Sequence, residues 1–256
     1  MKSANTDTPR QKPKNQLIGG IHPVIEALKA GIPVDKVYLC KGLSGPHTRE
    51  ILQLCRKQSV PVRQVPESKF KRLGIAHSQG VVASLAAVEF ADLESTIAQV
   101  FESGQVPLLI MLDGVTDVRN LGSIARSALC AGAHGIIVTG HHTAALHHDS
   151  VKVSAGALLH LRVHRVLSIS EGIRKLHNCG LRTIALSEKG SKNLFQEDFT
   201  GPTCFIVGDE EKGLSPTALK QSSVVLQIPM PGGFASLNVS HAAAIALFET
   251  VRQRMS

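Results

Sequence analysis

From residue 107 to the C-terminus, short apolar runs alternate with stretches of helical periodicity. That alternation limits the fold more than any other feature of the chain. The runs lie at 108–112, 136–139, 183–186, 204–207 and 224–228. A strand exposed on one face alternates apolar and polar residues, whereas a strand buried on both faces reads as a continuous apolar run. Such runs, separated by helical segments, predict an α/β fold with a mostly parallel sheet covered on both faces.

The N-terminal part predicts a smaller α/β unit over residues 16–90. Pro23 and Gly31 bracket a short helix at 22–30 in the Pro-first, Gly-last manner. A strand at 36–40, a helix at 48–58, a β-rich stretch at 60–65, a basic helix at 67–73 and an apolar strand at 81–85 follow. Residues 91–106, ending in Gly104 ahead of Pro107, read as a polar, partly helical linker, and 107–256 as the second domain. Residues 1–15 carry Lys2, Arg10, Lys12 and Lys14 but no apolar core, so a disordered basic tail is expected rather than a secretory signal. No apolar run is long enough to cross a bilayer, and the cytoplasm is the expected location.

Hydrophobic residues make up 43% of the chain and charged residues 19%, the balance of a folded protein. The formal charge of +8 favours a polyanionic partner, although solvated surface charge explains it equally simply. Tryptophan is absent and Tyr38 is the single tyrosine, so an aromatic platform for stacking bases is poorly supplied. Recognition through phosphates and shape is expected instead. Cys40, Cys55, Cys130, Cys179 and Cys204 form no CxxC pair and read as reduced core thiols, not as a disulfide framework or zinc knuckle.

Three segments combine strand ends, glycines and polar side chains. The first is Leu112-Asp113-Gly114-Val115-Thr116-Asp117-Val118-Arg119-Asn120-Leu121-Gly122-Ser123-Ile124-Ala125-Arg126. Leu121, Ile124, Ala125, Ala128 and Leu129 form its apolar helical stripe; Arg126 falls off the stripe, and Gly122 leaves space on the arginine's face. Read alone, this is equally an Asn-capped helix bearing a surface arginine. The second, Gly208-Asp209-Glu210-Glu211-Lys212-Gly213-Leu214-Ser215-Pro216, follows a strand and has the look of a tight loop before a helix capped by Ser215. It lacks the Gly-Lys-Ser/Thr of a Walker loop. The third runs from Ile228 through Met230, Gly232, Ser236, Leu237 and Asn238 into an alanine-rich helix over about 242–252. Backbone N–H groups and hydroxyls would surround a small cavity there. Ala242, Ala243, Ala244 and Ala246 permit close packing within the chain or across a dimer.

In this order and at this spacing, the three segments resemble the motifs of the SpoU/TrmH family of RNA 2′-O-ribose methyltransferases, in the SPOUT superfamily. The likeness extends to 17–24 and 77–82, which resemble the two ends of that family's substrate-binding domain. Among subgroups the chain looks closest to the enzymes that methylate a guanosine of 23S ribosomal RNA. The resemblance implies a C-terminal sheet with a deep trefoil knot, a small N-terminal substrate-binding domain, S-adenosylmethionine as cofactor, RNA as partner and a homodimer. It assigns Gly208, Ile228, Met230 and Leu237 to the cofactor, and Asn120, Arg126, Glu210, Ser236 and Asn238 to the catalytic set. Lys69, Lys71 and Arg72 are the expected RNA contacts because they cluster. Val118 departs from the proline found in many relatives.

Other readings compete with this one. A transfer-RNA guanosine is the alternative substrate, and a non-catalytic RNA-binding protein of SPOUT-like fold is the alternative of another class. No GxGxxG with a later acidic residue supports a nicotinamide enzyme. The histidines His141, His142, His147 and His148 have a spacing compatible with a metal, but no further ligands complete the set, and no metal is expected.

Overall fold

The computed structural model describes residues 17–255, apart from Gly74, Ala76, His77, His141, His142, Phe234 and Ala235. The basic tail, His77 of the 77–82 motif and two of the four clustered histidines therefore lie outside the described residues.

The N-terminal unit comprises β1 (Leu17–Gly19), α1 (Ile21–Lys29), β2 (Val34–Cys40), α2 (Pro46–Lys57), β3 (Val62–Val65), α3 (Glu67–Leu73) and β4 (Val81–Leu85). Its sheet has the order β1-β4-β2-β3, with β2 and β3 parallel and β4 antiparallel to both neighbours. Val24, Leu28, Val37, Ile51 and Val81 form its core. β1 is too short to show a period, and its pairing with β4 alone makes it a strand.

The larger unit comprises α4 (Leu93–Glu102), β5 (Leu108–Asp113), α5 (Val118–Cys130), β6 (Gly135–Thr139), α6 (His148–Val153), α7 (Ala157–His160), β7 (Val163–Val166), α8 (Ile169–Asn178), β8 (Arg182–Leu186), β9 (Lys192–Asn193), a 3-10 turn (Leu194–Gln196), β10 (Thr203–Gly208), α9 (Pro216–Gln221), β11 (Val224–Gln227) and α10 (Val239–Arg254). Its seven strands follow the order β7-β6-β5-β10-β8-β11-β9, and every pair is parallel. β10 returns to lie between β5 and β8. The crevice beyond the carboxyl ends of such neighbouring strands is where open α/β sheets place their ligands.

The stretch read as a linker holds α4. Asp92 caps it by accepting a hydrogen bond from Ser95 N at 2.8 Å, and Leu93, Ile97 and Val100 are buried. Leu93 and Ile97 pack into the cluster that contains Leu109, Met111 and Ile173, so much of this stretch belongs to the larger unit's core. β7 went unrecognised in the sequence because His164 and Arg165 interrupt its apolar pattern. The cysteine expectation needs correction: all five are free, but only Cys55 and Cys204 are buried, while Cys130 is exposed. Burial pushes the Cys55 thiol up to about 12, which keeps it inert. Among the described residues no helix is long and apolar enough to cross a membrane.

His164 is fully buried, and its Nδ1 lies 3.0 Å from the Ala91 carbonyl oxygen. A carbonyl only accepts, so Nδ1 carries the proton, and the buried Nε2 has no partner for a second one among the described residues. Burial accordingly holds this imidazole below its ordinary value of about 6.5. Burial lowers His134 in the same way. The unfolded chain takes up these protons first as pH falls. Stability is thus complete above about pH 6.5 and drains away as pH falls from there through the lower folded values. We expect the thermal midpoint to decline between about pH 7 and pH 5.5, less steeply in His164→Asn. An identical slope in wild type and variant would remove His164 as a cause.

Candidate functional site

The three loops converge at the carboxyl ends of β5 and β10. Asp113 ends β5, and its Oδ2 accepts a hydrogen bond from Ser215 N at 2.7 Å, tying the first loop to the second. The cap of α5 is Asp117, which accepts from Arg119 N at 2.7 Å, so the alternative reading of Asn120 as a helix cap does not hold. Asn120 sits within the first turn and is only 8% exposed. Val118 occupies the first helical position, where proline fits the backbone unaided, so its presence costs rigidity and not the helix.

After β10 the chain folds back on itself. Asp209 N donates to Gly213 O at 3.1 Å, and Gly213 N returns a bond to Asp209 O at 2.9 Å. The Asp209 carboxylate accepts from Glu211 N at 2.9 Å and Lys212 N at 3.0 Å, holding the loop shut from within. Ser215 caps α9 ahead of Pro216, in the arrangement the sequence indicated. A Cβ on Gly208 would lie 2.4 Å from the Gly213 carbonyl carbon, so glycine is required for the loop to close.

Asn238 caps α10 and joins the loops. Its Oδ1 accepts from Ser240 N at 2.9 Å and Ser240 Oγ at 2.6 Å, which leaves Nδ2 to donate. Nδ2 donates to Asn120 Oδ1 at 3.2 Å and to Glu210 Oε1. Three polar residues from three separate loops thus form one hydrogen-bonded group.

Beside this group lies a cavity of about 330 Å³ between β8, β10 and the third loop. Gly208, Ile228, Met230 and Leu237 all line it, as do Glu210 and Ser236. Sequence reasoning missed Leu186 and Ser187, which close one side. Their place at the carboxyl end of an expected strand was the available signal. A second cavity, of about 630 Å³, opens between the first and second loops and takes in Asn120. The 209–214 loop is the wall shared by the two cavities.

Arg126 is not part of the group. It is exposed on α5, lines neither cavity, and has no hydrogen bond or ion pair among the described residues. Gly122 does not make room for it. A Cβ there would lie 2.8 Å from Val153 Cγ1 and 2.9 Å from Ser154 N, so this glycine lets α6 approach α5. Lys69, Lys71 and Arg72 are all exposed on α3, which is anchored by the buried Phe70. His147 caps α6 through its Nδ1, which accepts from Asp149 N at 3.1 Å. Ala243 and Ala246 are fully buried within the chain, while Ala242 lines the smaller cavity.

Residues 107–248 match the model of the SpoU rRNA Methylase family, and residues 17–91 match the model described as RNA 2′-O ribose methyltransferase substrate binding. The chain belongs to the SpoU rRNA methylase family. It is therefore a methyltransferase of the S-adenosylmethionine-dependent SpoU/TrmH type, the type that acts on RNA 2′-O-ribose. An uncharacterized tRNA/rRNA methyltransferase of Mycobacterium sp. (strain KMS) is 32% identical over 96% of this chain and 79% of that protein. The putative TrmH family tRNA/rRNA methyltransferase YacO of Bacillus subtilis (strain 168) is 29% identical over 92% of this chain and 94% of its own. The solved SpoU methyltransferase AviRb from Streptomyces viridochromogenes, in complex with AdoMet, is 31% identical with a TM-score of 0.60, covering 93% of this chain and 90% of its own. The hydrogen-bonded group and both cavities fall within the SpoU methylase region, and α3 falls within the substrate-binding region.

Proposed function

We propose that this chain methylates the ribose 2′-hydroxyl of a guanosine in 23S ribosomal RNA, working as a cytoplasmic homodimer. The observation that carries the reading is the joining of Asn120, Glu210 and Asn238 beside a cavity lined by all four expected cofactor residues. The cavity suits S-adenosylmethionine. Its volume falls in the range of small-molecule pockets, roughly 300–1,000 Å³. Leu186, Ile228, Met230 and Leu237 provide apolar wall for a purine, while the carboxylates of Glu210 and Glu211 complement a sulfonium cation.

When bound, S-adenosylmethionine supplies an electrophilic methyl group to the ribose oxygen. The protein's task is to hold that oxygen in line and to ease loss of its proton. Asn238 restrains one oxygen of Glu210, leaving the carboxylate's remaining acceptor capacity for the ribose hydroxyl. Asn120, fixed by the same amide, orients the ribose beside it. Ser236 and Asn238 shape the third loop around the target nucleotide. Arg126 anchors an RNA phosphate and stabilises developing charge, because a guanidinium offers a planar fork of donors and no acceptor, which makes it a poor base.

Arg126 is exposed on α5 and lines neither cavity of its own chain, which supports a homodimer in which it serves the partner subunit's pocket. So does the apolar surface of the adjoining α10 and the residue that follows it, where Phe248 is 48% and Met255 83% exposed. The insertion of β10 between β5 and β8, with α10 then packing back on α5, supports a knotted C-terminal segment. The family match over 17–91 and the exposed Lys69, Lys71 and Arg72 support docking of structured RNA on the N-terminal unit.

The test is radiolabelled methyl transfer to unmodified 23S ribosomal RNA and, separately, unmodified transfer RNA. Wild type should leave label in an alkali-resistant, 2′-O-methylated guanosine dinucleotide from the ribosomal RNA. Arg126→Ala should reduce incorporation at least about a hundredfold if its charge acts in the transition state. Label in transfer RNA alone would move the substrate there. No label in either RNA, from folded protein that binds cofactor, would favour a non-catalytic RNA-binding role.

A further inference from the structure

Away from the site, one side chain ties the two units of the chain together. Arg165, on β7 of the larger unit, donates from Nη1 to Val34 O at 2.7 Å and from Nη2 to Asp35 O at 3.3 Å, both on β2 of the smaller unit. Its guanidinium carbon lies 3.6 Å from the centre of the Phe90 ring. A planar guanidinium reaches two adjacent carbonyls and stacks on an aromatic face at once, a combination lysine cannot reproduce. The surrounding bonds also cross between units. Leu146 N donates to Asp35 Oδ1 at 3.3 Å, and Ala87 N donates to Leu146 O at 2.8 Å. Asp35 itself is 6% exposed, with Lys36 Nζ 3.0 Å from its other oxygen.

The direction of the strands makes this junction consequential. Val34 and Asp35 begin β2, and β3 runs parallel to it, so the amino ends of both strands face the larger unit. α3, with Lys69, Lys71 and Arg72, starts from the opposite end of β3. The basic helix is thereby carried on a sheet whose near end is clamped. Fixing that end fixes the span from the basic helix to the Asn120–Glu210–Asn238 group.

We propose that Arg165 is a positioning residue that locks the two units into one body, so that the target ribose is selected at a fixed span from the RNA element gripped by the N-terminal unit. The selection rests on the RNA methyltransferase reading above; the lock itself does not. A flexible tether would let a gripped RNA offer several riboses to the pocket, whereas a rigid one offers a narrow set.

Arg165→Met keeps a long apolar stem over Phe90 and removes both hydrogen bonds and the charge. Three measurements on the full chain decide the matter: solution X-ray scattering, affinity for S-adenosylmethionine, and mapping of methylated riboses on unmodified 23S ribosomal RNA. We expect an expanded scattering profile, unchanged cofactor affinity, and a KM for RNA raised about tenfold, the scale of losing a charge-assisted bond. Label should also appear at riboses near the target that wild type leaves unmethylated, and Arg165→Lys should restore the wild-type pattern only in part. A merely structural role would not create new methylation sites. Phe90→Leu, which removes the ring beneath the guanidinium and keeps an apolar side chain against the larger unit's core, serves the same test should Arg165→Met fail to fold. A folded variant with wild-type scattering, or with wild-type KM and a single methylated ribose, overturns the proposal. Absence of transfer by wild type would instead overturn the functional reading, and the scattering comparison would still judge the lock.

Discussion

Asn238→Asp is expected to lower kcat for methyl transfer by about two to three orders of magnitude, the scale of losing one preorganised donor, with the fold retained. Aspartate caps a helix as well as asparagine, so the bonds from Ser240 N and Oγ to the capping oxygen survive and α10 keeps its start. What disappears is the Nδ2 donor shared by Asn120 and Glu210. A second carboxylate would then face Glu210, repelling the group it had restrained. The change therefore separates the capping role of this residue from its role in the site. The assay is single-turnover transfer at saturating RNA and cofactor, with circular dichroism as a check of helix content. A rate within threefold of wild type would reduce Asn238 to a helix cap.

Gly208→Ala should reduce affinity for S-adenosylmethionine by at least about tenfold and destabilise the protein by about 1–3 kcal/mol, the usual cost of forcing an extra group into packed structure. The new Cβ would meet Gly213 C at 2.4 Å, Gly213 O at 2.5 Å and Leu214 N at 2.6 Å. All three are backbone atoms and cannot rotate aside. The 209–214 loop would have to open, and that loop walls both cavities. Gly201→Ala is the control, because a Cβ there meets nothing within 4 Å. Calorimetric titration with the cofactor and a thermal melt check both effects. Unchanged affinity in Gly208→Ala would mean that the loop does not shape the cofactor cavity.

Much of the architecture could be read from local pattern. The continuous apolar runs at 108–112 and 204–207 became β5 and β10, the two strands at the centre of the site. Ser215 followed by Pro216 announced α9, since both residues act within one turn of the chain. Where a side chain's partner lies far along the sequence, local pattern failed. His164 and Arg165 break the apolar run that marks a buried strand, yet they stand in β7, with Ala91 O and the carbonyls of Val34 and Asp35 satisfying their side chains. Asn120 looked like a cap, but Asp117 takes that place and leaves its amide to meet Asn238. Gly122 seemed to open space for Arg126, and the space is filled by α6.

The sequence by itself determined the α/β class, most of the strands of the larger sheet and the cap of α9. Those features follow from short-range preferences: apolar period, capping chemistry and the backbone freedom of glycine. Only the tertiary structure decided which polar groups meet. Asn238 finds Asn120 and Glu210 because β10 inserts beside β5, which brings loops distant in the chain to one edge of the sheet. Arg126 is kept apart from them by its place on α5, and Arg165 comes to join the two units, because strand order and helix packing, not neighbouring residues, set those distances.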